Sequence, residues 1–64
     1  MRTIRANQLK INDVIVRDKY SFKVIKIESV TNKAITYRTT RLTPDFYEGN
    51  FFNRNLLNTI LTIL

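Results

Sequence analysis

The chain has no cysteine, no histidine and no tryptophan, and only one glycine and one proline among its 64 residues. Without cysteine, neither a disulfide nor a thiolate metal site can supplement the core, a composition that fits a reducing, cytoplasmic compartment. The absence of histidine removes the commonest catalytic base and the commonest metal ligand together. Serine- and cysteine-nucleophile triads cannot be assembled in the usual way, and the two serines, Ser21 and Ser29, lack the customary activating base. A single glycine also excludes the phosphate-binding and dinucleotide-binding loops, each of which needs several. The sequence therefore predicts a binding module with no cofactor and no metal, and not an enzyme.

Long apolar runs are missing as well. Val14-Ile15-Val16 and the terminal Ile60-Leu61-Thr62-Ile63-Leu64 fall far short of the roughly 20 residues that span a bilayer. Met1-Arg2-Thr3-Ile4-Arg5 has no apolar segment behind its charges, so it does not read as a signal peptide. The length predicts one domain, residues 1–64. A domain of this size buries only about 60% of the surface its unfolded chain exposes, which implies modest stability.

What is abundant is the β former. The chain has eight threonines and eight isoleucines but only two alanines, Ala6 and Ala34. Branching at Cβ disfavours helix and suits a pleated surface. Strands are expected over Asp13–Asp18, Ser21–Val30, Ala34–Leu42, Asn50–Arg54 and Thr59–Ile63. In the second of these the apolar phase slips by one between Val24 and Ile25, the sign of a bulge. Thr31-Asn32-Lys33 joins it to the third strand as a hairpin. Pro44 and Gly49 mark Leu42–Asn50 as the clearest loop. One helical turn is expected at Ala6–Lys10 or Asn55–Asn58. Five short strands with tight turns make an all-β protein, a small barrel or a strongly coiled sheet.

The segment Ile4-Arg5-Ala6-Asn7-Gln8-Leu9-Lys10-Ile11-Asn12-Asp13-Val14-Ile15 resembles the opening of SH3-like barrels of the KOW type. The N-terminal domain of elongation factor P is one such barrel. There a short turn delivers a leucine, and a Lys/Arg-x-Gly-Asp-x-Ile/Val step begins the first long strand. Tyr20–Glu28 is similar to their second long strand. The resemblance runs from about Ile4 to Glu28 and implies a five-stranded SH3-like barrel. Asn12 stands where those barrels usually have glycine, an exchange asparagine tolerates because it too reaches positive φ. The glycine-rich loop that presents the modified lysine of elongation factor P is missing, so that function does not transfer. Barrels of this kind host many unrelated roles.

Charge carries the functional signal. Eleven lysines and arginines against five acids give a net charge of +6. Residues 1–41 hold ten basic and three acidic groups, and residues 42–64 hold one and two. Such asymmetry implies one basic face, suited to phosphate-bearing partners or acidic proteins. Lys23 and Lys26 lie on one expected strand, Arg38 and Arg41 on its hairpin partner, with Arg17 and Lys19 flanking the preceding turn. Basic side chains on the outside of a twisted sheet can track a phosphate backbone. Ordinary polar-out alternation explains the same pattern without a ligand.

Among the aromatics, Phe22, Tyr37 and one of Phe51 and Phe52 are expected in the core. Tyr20, Phe46 and Tyr47 fall in turns or the long loop, free to stack bases or to fold down as a lid. Asp45 and Glu48 share that loop and have the chemistry of an acid/base pair or a hard-cation site, though a solvated turn accounts for them more simply. Two readings result. One is a nucleic-acid-binding barrel, DNA or RNA, using Lys23, Lys26, Arg38, Arg41, Arg17, Lys19 and Tyr20. The other is a protein-interaction module that docks an acidic partner on its basic surface, or anchors through Phe46 and Tyr47. Isoleucine, asparagine, lysine, phenylalanine and tyrosine make up 27 of 64 residues. That bias suggests an AT-rich coding sequence, of the kind found in phages and mobile elements.

Overall fold

The computed structural model describes residues 1–17, 19–42 and 47–64, and for Tyr47 and Glu48 the backbone alone. Six strands form one antiparallel sheet: β1 (Arg2–Arg5), β2 (Val14–Val16), β3 (Ser21–Val30), β4 (Ala34–Leu42), β5 (Tyr47–Leu56) and β6 (Ile60–Ile63). Their order is β1-β6-β2-β3-β4-β5. The sequence pattern suggests five strands. The sixth, β1, carries a single buried residue, Ile4, and is defined by its pairing along β6 from Arg2↔Ile63 to Arg5↔Ile60. So short a strand leaves no periodicity to read.

A four-strand meander, β2 to β5, accounts for most of the sheet, and β6 then returns beside β2 through Ile15↔Ile63. In a flat sheet β5 and β6 would lie four strand spacings apart, about 19 Å. Yet only Leu57–Thr59 connects them, and four Cα steps reach about 14 Å at most. The sheet must therefore curl. Two bulges on β3 supply coil: Ile25 is extra between Val24↔Thr39 and Lys26↔Arg38, and Glu28 is extra between Ile27↔Tyr37 and Ser29↔Thr36. The first falls where the apolar phase slips in the sequence. The sheet stays open, with β1 and β5 at its ends.

Turns are made by the residues that tolerate them. Asn12 adopts φ 80°, in the left-handed region, and Lys10 N–H donates to Asp13 Oδ2 at 2.9 Å. Ala6–Gln8 forms one 3-10 turn, where Gln8 Oε1 accepts from Arg5 N–H at 2.9 Å. That turn hydrogen-bonds to the β5–β6 connection through Ala6 N–H to Thr59 O and Asn7 N–H to Leu57 O. The β3–β4 hairpin closes on Thr31, whose Oγ1 accepts from Lys33 and Ala34 N–H. Asn55–Asn58 forms no helical turn, because β5 continues to Leu56 and the chain reverses at Leu57-Asn58.

The expected loop Leu42–Asn50 is shorter than its composition implies. β4 runs to Leu42 and β5 resumes at Tyr47, so Gly49 lies inside a strand. Its φ of 80° falls where the β4–β5 register shifts, between Thr39↔Phe51 and Arg41↔Glu48. A bulge explains the glycine as well as a loop would. Phe46 and Asp45 lie outside the described residues, as do the side chains of Tyr47 and Glu48.

Ile4, Leu9, Ile15, Val24, Ile35, Tyr37, Leu61 and Ile63 form the core on the inner side of the curl, with Phe22 and Ile27 packed against it. Tyr37 is wholly buried, as expected, but neither Phe51 nor Phe52 is: they are 39% and 60% exposed. Their alternation on β5 sends Phe51 to the inner side and Phe52 to the outer, opposite Thr39 and Arg38 respectively.

Candidate functional site

Register decides which basic residues share a face, because side chains opposite one another in a ladder point the same way. Lys23 pairs with Thr40 and Lys26 with Arg38, so all three cations lie on the outer face. Arg41 pairs with Phe22 on β3, on the inner side beside Thr39. The four-cation grip drawn from the sequence is thus divided between two faces. Both pairs are three residues apart, an odd spacing that alternates faces. The Ile25 bulge brings Lys26 back to the face of Lys23, and no bulge on β4 does the same for Arg41.

On the outer face two cations share one carboxylate. Arg38 Nε donates to Glu28 Oε1 at 2.9 Å, and Lys26 Nζ lies 3.6 Å from the same oxygen. Arg38 also donates from Nη1 to Asn50 Oδ1 at 3.2 Å, and its guanidinium lies 5.2 Å from the Phe52 ring centre. Lys23 is half-buried and engaged locally. One bulge residue, Glu28, engages two of the cations on this face, which also carries Arg54 opposite Thr36.

At the mouth of the inner side the arrangement is different. The Arg41 guanidinium carbon is 4.9 Å from the centre of the Tyr20 ring and 5.9 Å from that of Phe51. The Arg17 guanidinium lies 6.0 Å from Phe22, within cation–π range. Phe22 and Phe51 meet edge to face, with centroids 6.0 Å apart and planes at 89°. Ile15, Arg17, Phe22, Thr39, Arg41, Phe51, Phe52 and Asn53 line a concavity of about 280 Å³. A second hollow of about 350 Å³ lies between Arg17, Lys19, Tyr20 and Phe22, sharing two of those residues.

Polar groups set the floor. Thr39, a buried polar residue, accepts from Asn53 Nδ2 at 3.0 Å, and the same nitrogen donates to Phe51 O at 3.2 Å. Beneath them the Tyr37 hydroxyl donates to Asn55 Oδ1. Burial pushes the Tyr37 phenol above its ordinary value near 10, and the nearby Arg17 guanidinium opposes that without overturning it. The phenol is neutral at physiological pH.

Arg17, Lys19, Tyr20 and Arg41 are thus gathered at one end of the sheet, while Lys23, Lys26 and Arg38 face away. Phe22, Phe51, Thr39 and Asn53 belong to the site without having been singled out for it. Strand parity alone places Arg41 with Tyr37 and Thr39. The position of Phe51 follows only from the β5 register, which composition does not reveal. Among the described residues, no three of histidine, cysteine, aspartate and glutamate cluster in a way that would hold a metal ion. No helix among them is long and apolar enough to cross a membrane. No protein-family model, curated protein or solved structure matches the chain.

Proposed function

We propose that this chain is a non-enzymatic nucleic-acid-binding module on a small SH3-like barrel, which grips its partner through the Arg17–Arg41 cleft. The observation that carries the proposal is the interleaving of Arg17 and Arg41 with Tyr20, Phe22 and Phe51 around two adjoining hollows that share Arg17 and Phe22. Guanidinium groups supply phosphate contacts, and exposed rings supply sequence-tolerant stacking, the two components of single-strand and loop recognition. The net charge of +6 favours encounter with a polyanion. The barrel reading is supported by the meander from β2 to β5, the return of β6 to β2, and the curl that the short β5–β6 connection enforces.

Three cations at the cleft, Arg17, Lys19 and Arg41, imply a log–log salt slope of about −2 for a single-stranded oligonucleotide. Arg17→Gln or Lys19→Gln is expected to lower its magnitude by about 0.7, and Lys26→Gln to leave it unchanged. Fluorescence anisotropy at several salt concentrations measures this. A slope that responds to Lys26 and not to Arg17 or Lys19 returns the site to the outer face. Absence of binding near 50 mM salt, where electrostatic attraction is strong, defeats the nucleic-acid reading. A protein partner is the second reading, favoured by the exposure of Phe52 and Leu56 on the edge strand β5.

A further inference from the structure

We infer that the cleft accepts an unpaired base, so that the partner is single-stranded nucleic acid and not duplex; this rests on the nucleic-acid reading and sharpens it. Two rings stand open to an incoming group: Tyr20 is 45% exposed and Phe51 39%. They flank the Arg41 guanidinium, which lies closer to Tyr20 than to Phe51. Phe22, at 89° to Phe51, turns the concavity into a corner with one wall edge-on to the other. A ring corner of this shape receives a flat group from its open side. In a duplex both faces of every base are covered by neighbours, so only an unstacked base can present a face there.

The alternative mode, a duplex backbone lying along a basic sheet, needs a row of available cations. On the outer face Glu28 interrupts such a row by engaging Lys26 and Arg38 together. At the cleft Arg17 and Arg41 each stand beside a ring.

The polar floor adds a preference. Both hydrogens of Asn53 Nδ2 are used, one toward Thr39 Oγ1 and one toward the carbonyl of Phe51. Asn53 therefore offers only its Oδ1, an acceptor, to whatever enters. Arg17 offers only donors. A base carrying an imino N–H beside carbonyl oxygens, as thymine and uracil do, complements that set.

The test uses the full chain and four labelled probes of equal length: oligothymidylate, oligouridylate, an abasic strand with the same phosphates, and a duplex. The two pyrimidine strands are expected to bind at least about tenfold more tightly than the abasic strand at one salt concentration, since stacking each base is worth that order. The duplex is expected to bind no better than the abasic strand. Tyr20→Leu or Phe51→Leu is expected to lower affinity for the pyrimidine strands about tenfold while leaving the abasic strand and the salt slope unchanged. Tyr20→Phe, which keeps the ring, is expected to retain binding and guards against misreading a folding defect. Salt-dependent binding of all four probes with equal affinity overturns the unpaired-base inference and leaves nucleic-acid binding standing. Failure of every probe to bind overturns both.

Discussion

Gly49 and Asn12 are the two described residues held at positive φ, each at 80°. For asparagine that conformation is tolerable, and it sits in a turn whose next residue, Asp13, already hydrogen-bonds back to Lys10. Gly49 has less latitude. A Cβ built there would meet Phe51 Cε2 at 2.7 Å and Cζ at 2.8 Å. The Phe51 ring therefore lies directly over the glycine, and this close approach holds one wall of the cleft. Gly49→Ala is expected to destabilise the fold by about 1–2 kcal/mol through backbone strain, read as a lower urea midpoint. The same variant displaces the ring, so it is expected to weaken oligothymidylate binding while sparing the abasic strand. If stability falls and the two probes respond equally, Phe51 is not the stacking wall.

The strands themselves show what alternation can and cannot tell. The stiff, β-branched residues of Ala34–Leu42 define β4 to its last residue, because Ile35, Tyr37 and Thr39 must all reach the core. The slip between Val24 and Ile25 marks a bulge, since a phase error in an otherwise regular strand has few other causes. The Glu28 bulge leaves no such mark, because the residues that follow it, Ser29 and Val30, are exposed and show no inward phase. That second bulge sets Glu28 beside Lys26 and Arg38, and so changes the reading of the whole outer face. Glu28→Gln tests the consequence. With the cleft as the site, removing this carboxylate is expected to raise oligonucleotide affinity less than about threefold, the effect of one more net positive charge at a distance, with the salt slope unchanged. A steeper slope would show that Lys26 and Arg38, once released, hold phosphates. Stability is expected to fall by no more than about 1 kcal/mol, because the pairs are partly exposed.

For the molecule as a whole, the all-β class was legible from composition, while the closing geometry was not. The β6 return depends on pairings 48 to 61 residues apart in sequence, Ile15↔Ile63 and Ile4↔Leu61 among them. Such long-range pairings leave only a weak local trace. The charge asymmetry was equally legible: residues 1–41 carry ten of the eleven basic groups. Its division between two faces was not, because curl and register assign the faces. Curling carries the β2–β3 turn with Arg17 and Tyr20, the end of β4 with Arg41, and β5 with Phe51 to one mouth, where charge and rings interleave. The claim that this mouth is the binding surface is tested most directly by following the aromatic ring protons in NMR spectra during titration with oligothymidylate. The account predicts saturable upfield shifts of the Tyr20, Phe22 and Phe51 ring protons, with the amides of Lys26 and Glu28 on the outer face unmoved. Shifts confined to Phe52 and the amides of Lys26, Glu28 and Arg38 would contradict it.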